Sequence, residues 1–265
     1  MIAPVAQPFI ARREHFPVVG STNDVVRAWL ADGEPEVCLA VADEQSAGRG
    51  REGRRWTAPA GRALLLSLGF RPTWLAPGHA WRLAAIVSLA MADAGELVAE
   101  LRPGSIRLKW PNDLVTEDET DGSIRKLAGL LGETEGLGID DPRAVVGIGI
   151  NADWPAEAFP AELATAMTSL RAAGGRPVDA ERLLEVFLER LEPRLVALRL
   201  GRFDGVGWSG RQVTTGRIVR LIEGARAEVA VRAVGVDAET GALVVDGDRP
   251  IFSADIVHVR LETGV

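Results

Sequence analysis

The chain has 265 residues, a formal net charge of −7, 47% hydrophobic and 25% charged residues. This balance excludes disorder and fibrous repeats, and it argues against sequence-independent nucleic-acid binding, which runs on Lys and Arg against phosphates. The length predicts one large domain and a small one, and a lone cysteine, Cys38, excludes an internal disulfide and a cysteine-rich zinc site.

Residues 1–17 read as irregular, with Pro4, Pro8 and Pro17, and no leader is read there. Arg12-Arg13 is followed by Glu14-His15-Phe16-Pro17 where a twin-arginine signal would turn apolar. Ser21 with Asp24 has capping-box spacing and opens a helix carrying Val25, Val26, Trp29 and Leu30 and stopping at Gly33. Val37–Ala42 reads as a buried strand, Glu44–Gly61 as a long polar loop and Ala63–Phe70 as a strand. Ala80–Leu101 reads as a buried helix; its longest uncharged run, Leu83–Ala92, is too short to span a bilayer.

Ile106–Trp110 is a short strand, Thr116–Ser123 an acidic surface turn, and Leu127–Gly132 and Ala144–Ile150 are further strands. Asp179 caps an amphipathic helix with Leu183, Leu184, Phe187, Leu188, Leu191 and Leu195 at spacings of three and four. After Gly201 the texture changes to short β-like runs, Val213–Ile222, Ala227–Val236 and Ala242–Val245, broken by Glu223-Gly224, Asp237 and Asp246-Gly247. A division into residues 1–204 and a small β-barrel over 205–265 is expected.

Only two of the 30 basic residues are lysine, Lys109 and Lys126, and the only asparagines are Asn23, Asn112 and Asn151. An ammonium and a guanidinium are not interchangeable, so a surviving Lys points to a wanted chemistry, against the plain alternative of skewed usage. All but Asn23 fall in four segments that stand out along the chain.

The first is Gly48-Arg49-Gly50-Arg51-Glu52-Gly53-Arg54-Arg55-Trp56. Its Gly48, Gly50 and Gly53 match G-x-G-x-x-G, but Trp56-Thr57-Ala58-Pro59 cannot open the helix a dinucleotide fold needs. What remains is a flexible loop whose arginines suit phosphate or carboxylate, against the plainer reading of a solvated basic loop. The second, Lys109-Trp110-Pro111-Asn112-Asp113, reads equally as an ordinary strand exit or as a base, phosphate or magnesium contact. The third, Lys126-Leu127-Ala128-Gly129-Leu130-Leu131-Gly132-Glu133, opens with either a snorkelling or a ligand-binding lysine. The fourth, Val146-Gly147-Ile148-Gly149-Ile150-Asn151, places two glycines in a strand, marking close backbone packing or a ligand wall. Cys38 sits in an apolar strand and reads as a buried small side chain, and His15, His79 and His258 lack metal-ligand spacing.

Taken in order, Ser21-Thr22-Asn23, the glycine–arginine loop with Trp56, Lys109-Trp110-Pro111-Asn112-Asp113, Lys126 to Leu131 and Gly147 to Asn151 resemble biotin–protein ligase, over about residues 18–155. The resemblance implies an α/β (α+β) fold, with a mixed-sheet catalytic domain and a small C-terminal SH3-like β-barrel. It implies ATP-dependent activation of biotin to biotinyl-AMP and transfer to a lysine of a carboxylase carrier domain. Lys126 and Arg51 would be catalytic. Ser21, Thr22, Asn23, Gln45, Gly48, Arg49, Gly50, Arg51, Lys126, Gly129, Leu131, Gly147 and Gly149 would bind biotin. Arg49, Arg51, Arg54, Trp56, Lys109, Asn112, Asp113, Lys126 and Asn151 would bind ATP with Mg2+.

The 17 residues before the first motif are too few for the DNA-binding domain some relatives carry, so the expectation is a cytoplasmic ligase without DNA or membrane partners, monomeric or weakly dimeric. Glu52 and the acidic Glu117-Asp118-Glu119 run depart from the family pattern. The alternatives are a lipoate or octanoate ligase of the same fold and a non-catalytic biotin or nucleotide sensor.

Overall fold

The computed structural model of the chain describes residues 9–118, 120–223, 226–252 and 255–258. Pro4, Pro8 and Glu119, which the sequence reading singled out, lie outside them.

The elements in chain order are β1 (Arg12–Val19), α1 (Thr22–Ala31), β2 (Cys38–Gln45), β3 (Ala63–Phe70), α2 (Trp81–Val98), β4 (Ile106–Lys109), β5 (Asp113–Glu117), β6 (Ile124–Glu135) and β7 (Arg143–Asn151). There follow α3 (Leu170–Gly174), α4 (Ala180–Arg199), α5 (Gly205–Gly210), β8 (Ile218–Glu223), β9 (Arg226–Val236), β10 (Leu243–Val245), β11 (Arg249–Ile251) and β12 (Asp255–His258). The first seven strands form one mixed sheet in the order β1-β2-β3-β7-β6-β5-β4. Only β1 and β2 run parallel; the other pairs are antiparallel.

The core follows from where the apolar side chains point. Leu64, Leu66, Leu68 and Phe70 of β3 and Val146, Ile148 and Ile150 of β7 are buried in one cluster with Leu83, Ile86, Ala90 and Met91 of α2 and Leu183, Leu184, Phe187 and Leu191 of α4. Asp179 accepts the N–H groups of Glu181 and Arg182 and caps α4 as the sequence predicts. On the opposite face α1 packs Val26 and Leu30 against Cys38, Ala40 and Val145. It comes so near that a methyl group at Gly69 would stand 2.6 Å from Val26 Cγ1.

Several elements differ from the sequence reading. Part of the stretch taken as irregular is strand β1. Its Arg12-Arg13-Glu14-His15 run carries no alternation because β1 is a sheet edge with one solvated side, where Pro17 needs no ladder donor. Ser21 takes the N-cap position of α1 without a side-chain cap bond; Asp24 is held instead by Arg49 at 2.7 and 2.8 Å. Strand β5 overlaps the start of the expected acidic turn, since its polar Asp113, Thr116 and Glu117 flank only Leu114 and Val115 as buried residues. Strand β6 extends beyond its apolar centre at both ends, where its residues are partly exposed.

The chain then runs through α5, whose Trp208 is buried in the main core with its ring 4.8 Å from that of Trp81. Residues 211–213 run beside β4, with Leu108 N–H donating to the Arg211 carbonyl at 2.9 Å and Val213 N–H to the Leu108 carbonyl at 2.8 Å. Arg211 donates to Asp93 at 2.5 Å and to Glu96 at 2.8 Å on α2. The C-terminal strands form a second, antiparallel sheet in the order β11-β10-β9-β8-β12. Where a small barrel was expected, the described strands make an open sheet with β11 and β12 as edges.

A buried indole ties the two sheets together. Trp110, from the turn between β4 and β5, is buried among Val219, Leu221, Ala233, Leu243, Val245 and Ile251 of the second sheet. Its Nε1–H donates to the Gly241 carbonyl at 3.0 Å. Removing a ring packed this way costs about 3–5 kcal/mol. Trp110→Ala is therefore expected to lower unfolding free energy in urea by about that amount; a loss below about 1 kcal/mol would contradict the packing.

Candidate active site

The site lies on the α1 face of the large sheet, where β6 and β7 lack side chains. Gly129 pairs with Gly149 and Leu131 with Gly147 across the two strands. A β-strand residue without Cβ leaves bare backbone, so the pairing opens a shallow floor in the sheet. The indole of Trp56 lies on it. A methyl group at Gly149 would stand 2.5 Å from Trp56 Nε1 and one at Gly129 would stand 3.1 Å from Trp56 Cζ3. Trp56 Nε1 is buried without a hydrogen-bond partner.

Trp56 arrives there from the glycine–arginine loop between β2 and β3, which is a small hairpin rather than a shapeless tether. Gly50 N–H donates to the Arg54 carbonyl at 2.7 Å and Trp56 N–H to the Gly48 carbonyl at 3.0 Å. At the tip Glu52 adopts the left-handed backbone conformation, φ 55°. Gly48 has a steric reason: a methyl group there would stand 2.5 Å from the Trp56 carbonyl oxygen.

The loop and floor enclose a cavity of about 340 Å3 lined by Ser21, Thr22, Asn23, Gln45, Arg49, Gly50, Arg51, Arg54, Trp56, Lys109, Asn112, Asp113, Lys126, Gly129, Leu131, Gly147 and Gly149. These residues come from five sequence segments. Of the residues the sequence reading named, Gly48 and Asn151 do not line it. Asn151 is fully buried at the end of β7, where Nδ2 donates to the Thr168 carbonyl at 2.9 Å and Oδ1 has no partner.

Among the described residues the lining carries six cationic side chains, Arg49, Arg51, Arg54, Arg55, Lys109 and Lys126, against one carboxylate, Asp113. In an acidic chain this concentrates positive potential in one cleft. Lys126 Nζ stands 2.7 Å from Asp113 Oδ1 and 5.5 Å from the centre of the Trp56 ring. Asn112 has a structural duty besides, donating Nδ2–H to the Leu130 carbonyl at 2.6 Å while its own carbonyl accepts Leu130 N–H.

The other end of the cavity is polar and nearly neutral. Gln45 Oε1 accepts Thr22 N–H at 2.7 Å and the Thr22 hydroxyl at 3.0 Å. The Ser67 hydroxyl donates to Asn23 Oδ1 at 2.6 Å, and its oxygen stands 2.7 Å from Thr22 Oγ1. Ser67 was missed by the sequence reading, which placed Arg55 and Glu133 in its motif segments without a site role of their own. The signal for Ser67 was a lone hydroxyl in the otherwise apolar run Ala63–Phe70. Arg49 points at Asp24 and Glu133; its hydrogen bond holds the Asp24 carboxyl below the usual range.

A neutral polar end, an apolar floor and a cationic end suit an amphiphilic carboxylate beside a polyphosphate. Other chemistry is less well served. Cys38 is fully buried in β2, its Sγ donates to the Pro35 carbonyl at 3.1 Å, and burial pushes its thiol up to about 11. No group of three His, Cys, Asp or Glu side chains that could hold a metal occurs among the described residues. No helix among them is long and apolar enough to cross a membrane.

Comparison with known proteins agrees with this geometry. The biotin/lipoate A/B protein ligase family model matches residues 15–151. The biotin–[acetyl-CoA-carboxylase] ligase of Mycobacterium tuberculosis is 32% identical over 247 residues, 91% of this chain and 86% of that protein. The bifunctional ligase/repressor BirA of Bacillus spizizenii is 28% identical over 244 residues, 90% of this chain and 71% of the relative. Among solved structures, biotin protein ligase from Aquifex aeolicus in complex with biotin and ATP superposes with a TM-score of 0.74 at 24% identity, covering 94% of this chain and 99% of that one. Motif order, sheet topology and overall likeness together show that the chain belongs to the biotin/lipoate A/B protein ligase family.

Proposed function

We propose that the chain activates biotin with Mg-ATP and passes it to a lysine of a biotin carboxyl carrier domain. The observation that carries this reading is the cavity's division into a neutral polar end, a glycine floor and a cationic end.

In the first step a biotin carboxylate oxygen bonds to the α-phosphorus of ATP, the bond from that phosphorus to the bridging oxygen breaks, and pyrophosphate leaves. In the second, the carrier lysine amine attacks the acyl carbon, the carbon–oxygen bond to AMP breaks, and the amine loses a proton as the amide forms. Thr22 and Gln45, with Ser21 and Asn23, take biotin's ureido ring. Once the Trp56 indole moves off Gly129 and Gly149, those glycines with Leu131 and Gly147 let biotin's body lie against β6 and β7, and Gly50 sits on the loop that closes over it. A carboxylate and a polyphosphate repel, so fixed cations must offset charge as they join. Arg51 and Lys126 do this, while Arg54 and Lys109 hold the outer phosphates.

Trp56 offers its cavity-facing surface to adenine, and Asn112 supports the nucleotide from the turn before β5; Asn151, expected at the ATP site, is fully buried outside the cavity lining and makes no direct contact. Mg2+ would enter with ATP. With Asp113 as the single carboxylate of the lining among the described residues, it would draw most of its ligands from phosphate oxygens and neutralise their charge. The protein works as a cytoplasmic monomer or weak dimer. Residues 1–204 form the catalytic part and residues 205–265 the C-terminal part, supported by the change to an all-antiparallel sheet at Ile218. An octanoyl transferase would need a cysteine nucleophile, and the buried Cys38 thiol is unsuited to it.

Biotin-dependent ATP–pyrophosphate exchange, followed by transfer to an apo carrier domain, tests the reading. Exchange with lipoate or octanoate but not biotin would overturn it, as would binding without exchange.

Lys126→Arg keeps the charge but replaces a compact ammonium with a longer planar group. It is expected to fold normally and lose exchange by about 100-fold or more, the scale of one transition-state electrostatic contact. Near wild-type exchange in that variant would remove Lys126 from the chemistry. Trp56→Ala is expected to raise KM for ATP by about 10-fold, within the range of one lost base-stacking contact, with biotin binding nearly intact. An unchanged KM for ATP would make the indole a structural cover for the glycine floor and nothing more.

A further inference from the structure

Glu133 stands at the end of the Lys126–Glu133 run, outside the cavity lining, and the reaction above gives it no duty. Its carboxylate nevertheless touches both things the cavity depends on. On one side Oε2 accepts Asn23 Nδ2–H at 2.7 Å. On the other it accepts Arg27 at 2.9 Å and faces Arg49 with Oε1 at 3.6 Å.

The contact with Asn23 sets an orientation. Asn23 is only 4% exposed, and its amide nitrogen is committed to Glu133 and, at 3.5 Å, to the Leu131 carbonyl. Its oxygen must then face Ser67, which donates to it at 2.6 Å. Turned over, the amide would set its oxygen against a carboxylate that can only accept. Ser67 is fully buried, and its single proton goes to Asn23 Oδ1, which can only accept, so its oxygen meets Thr22 Oγ1 at 2.7 Å with lone pairs. The Thr22 hydroxyl proton is then taken by Ser67 Oγ or by Gln45 Oε1 at 3.0 Å. Every proton in the chain is therefore used inside the protein, and Thr22 meets a ligand with lone pairs only, as an acceptor for N–H.

The contact with the arginines sets a position. Arg49 opens the glycine–arginine loop and forks onto Asp24 at 2.7 and 2.8 Å, beside Glu133. Asp24 is one residue from Asn23 in α1, so the loop's first arginine and the pocket's polar wall are tied to the same two carboxylates.

We infer that Glu133 is a positioning residue that orients Asn23, and through Ser67 and Thr22 the acceptor face offered to biotin's ureido N–H, while anchoring the loop at Arg49. This rests on the biotin-ligase reading above. Two variants separate the two duties. Glu133→Ala removes both. Glu133→Gln keeps an oxygen to accept from Asn23 but drops the charge that Arg27 and Arg49 face.

The tests are KM values in pyrophosphate exchange and limited proteolysis of residues 48–56 without ligand. Leaving a buried amide donor unpaired predicts a biotin KM about 10-fold higher for Glu133→Ala, with KM for ATP within about two-fold and faster loop cleavage. Glu133→Gln is expected to recover most of the biotin KM while its loop is cleaved as fast as that of the alanine variant. An unmoved biotin KM in Glu133→Ala, equal rises for biotin and ATP, failure of Gln to recover biotin binding, or wild-type loop protection in both variants would each overturn the inference. Wild-type protein lacking biotin-dependent exchange would overturn the ligase reading and this inference with it. Wild-type exchange with an unmoved Glu133→Ala overturns this inference alone.

Discussion

The bare backbone where Gly129 faces Gly149, with Gly147 two pairs further along β6 and β7, is the constraint the rest of the site depends on. A sheet face is ordinarily covered by side chains projecting from alternate residues. Here three missing Cβ atoms let a flat group lie on the strands themselves. Trp56 uses the space at Gly129 and Gly149, and Asn23 with Ser67 uses the space at Gly147. The loop hairpin, the start of α1 and the end of β2 converge because each delivers a side chain onto that floor or its rim.

Charge is arranged around the same floor. The chain as a whole is acidic, yet the cleft gathers arginines and both lysines against Asp113. Asp113 pairs with Lys126, and Asp24 and Glu133 hold Arg49 at the loop's root. The lysine turn is in turn braced from the far side, because Trp110, between Lys109 and Asn112, is buried in the second sheet's core cluster. The C-terminal sheet therefore bears on the cationic end of the cavity through a packed indole.

Much of this was legible in the sequence, for identifiable reasons. Strand β3 matched its apolar run residue for residue, because Ala63–Phe70 is buried on both faces and bounded by loops. Helix α4 was legible from its leucine spacing and its Asp179 cap. The residues named as binding or catalytic, apart from Gly48 and Asn151, converge on one cavity. What escaped was whatever depends on partners distant in the chain. Strand β1 has charged residues where an edge tolerates them, and β5 is stabilised by neighbours rather than by its own pattern. The link from Glu133 to Asn23 spans 110 positions, and that from Asn23 to Ser67 spans 44; no local periodicity encodes either. The proximity of Asp24 to Ser21 suggested a cap, but a guanidinium fork outcompeted a backbone amide for that carboxylate.

A crystal structure with a non-hydrolysable biotinyl-AMP analogue tests the account most directly. The account predicts the analogue lying along Gly129, Gly147 and Gly149, its ureido N–H on Thr22 and its phosphate within ion-pair distance of Lys126 Nζ and Arg51. An analogue seated instead in the adjoining cavity of about 410 Å3, at its far end beside Trp81, Ser88 and Trp208, would contradict it, as would one bound over the floor with Lys126 still turned to Asp113 and no phosphate contact.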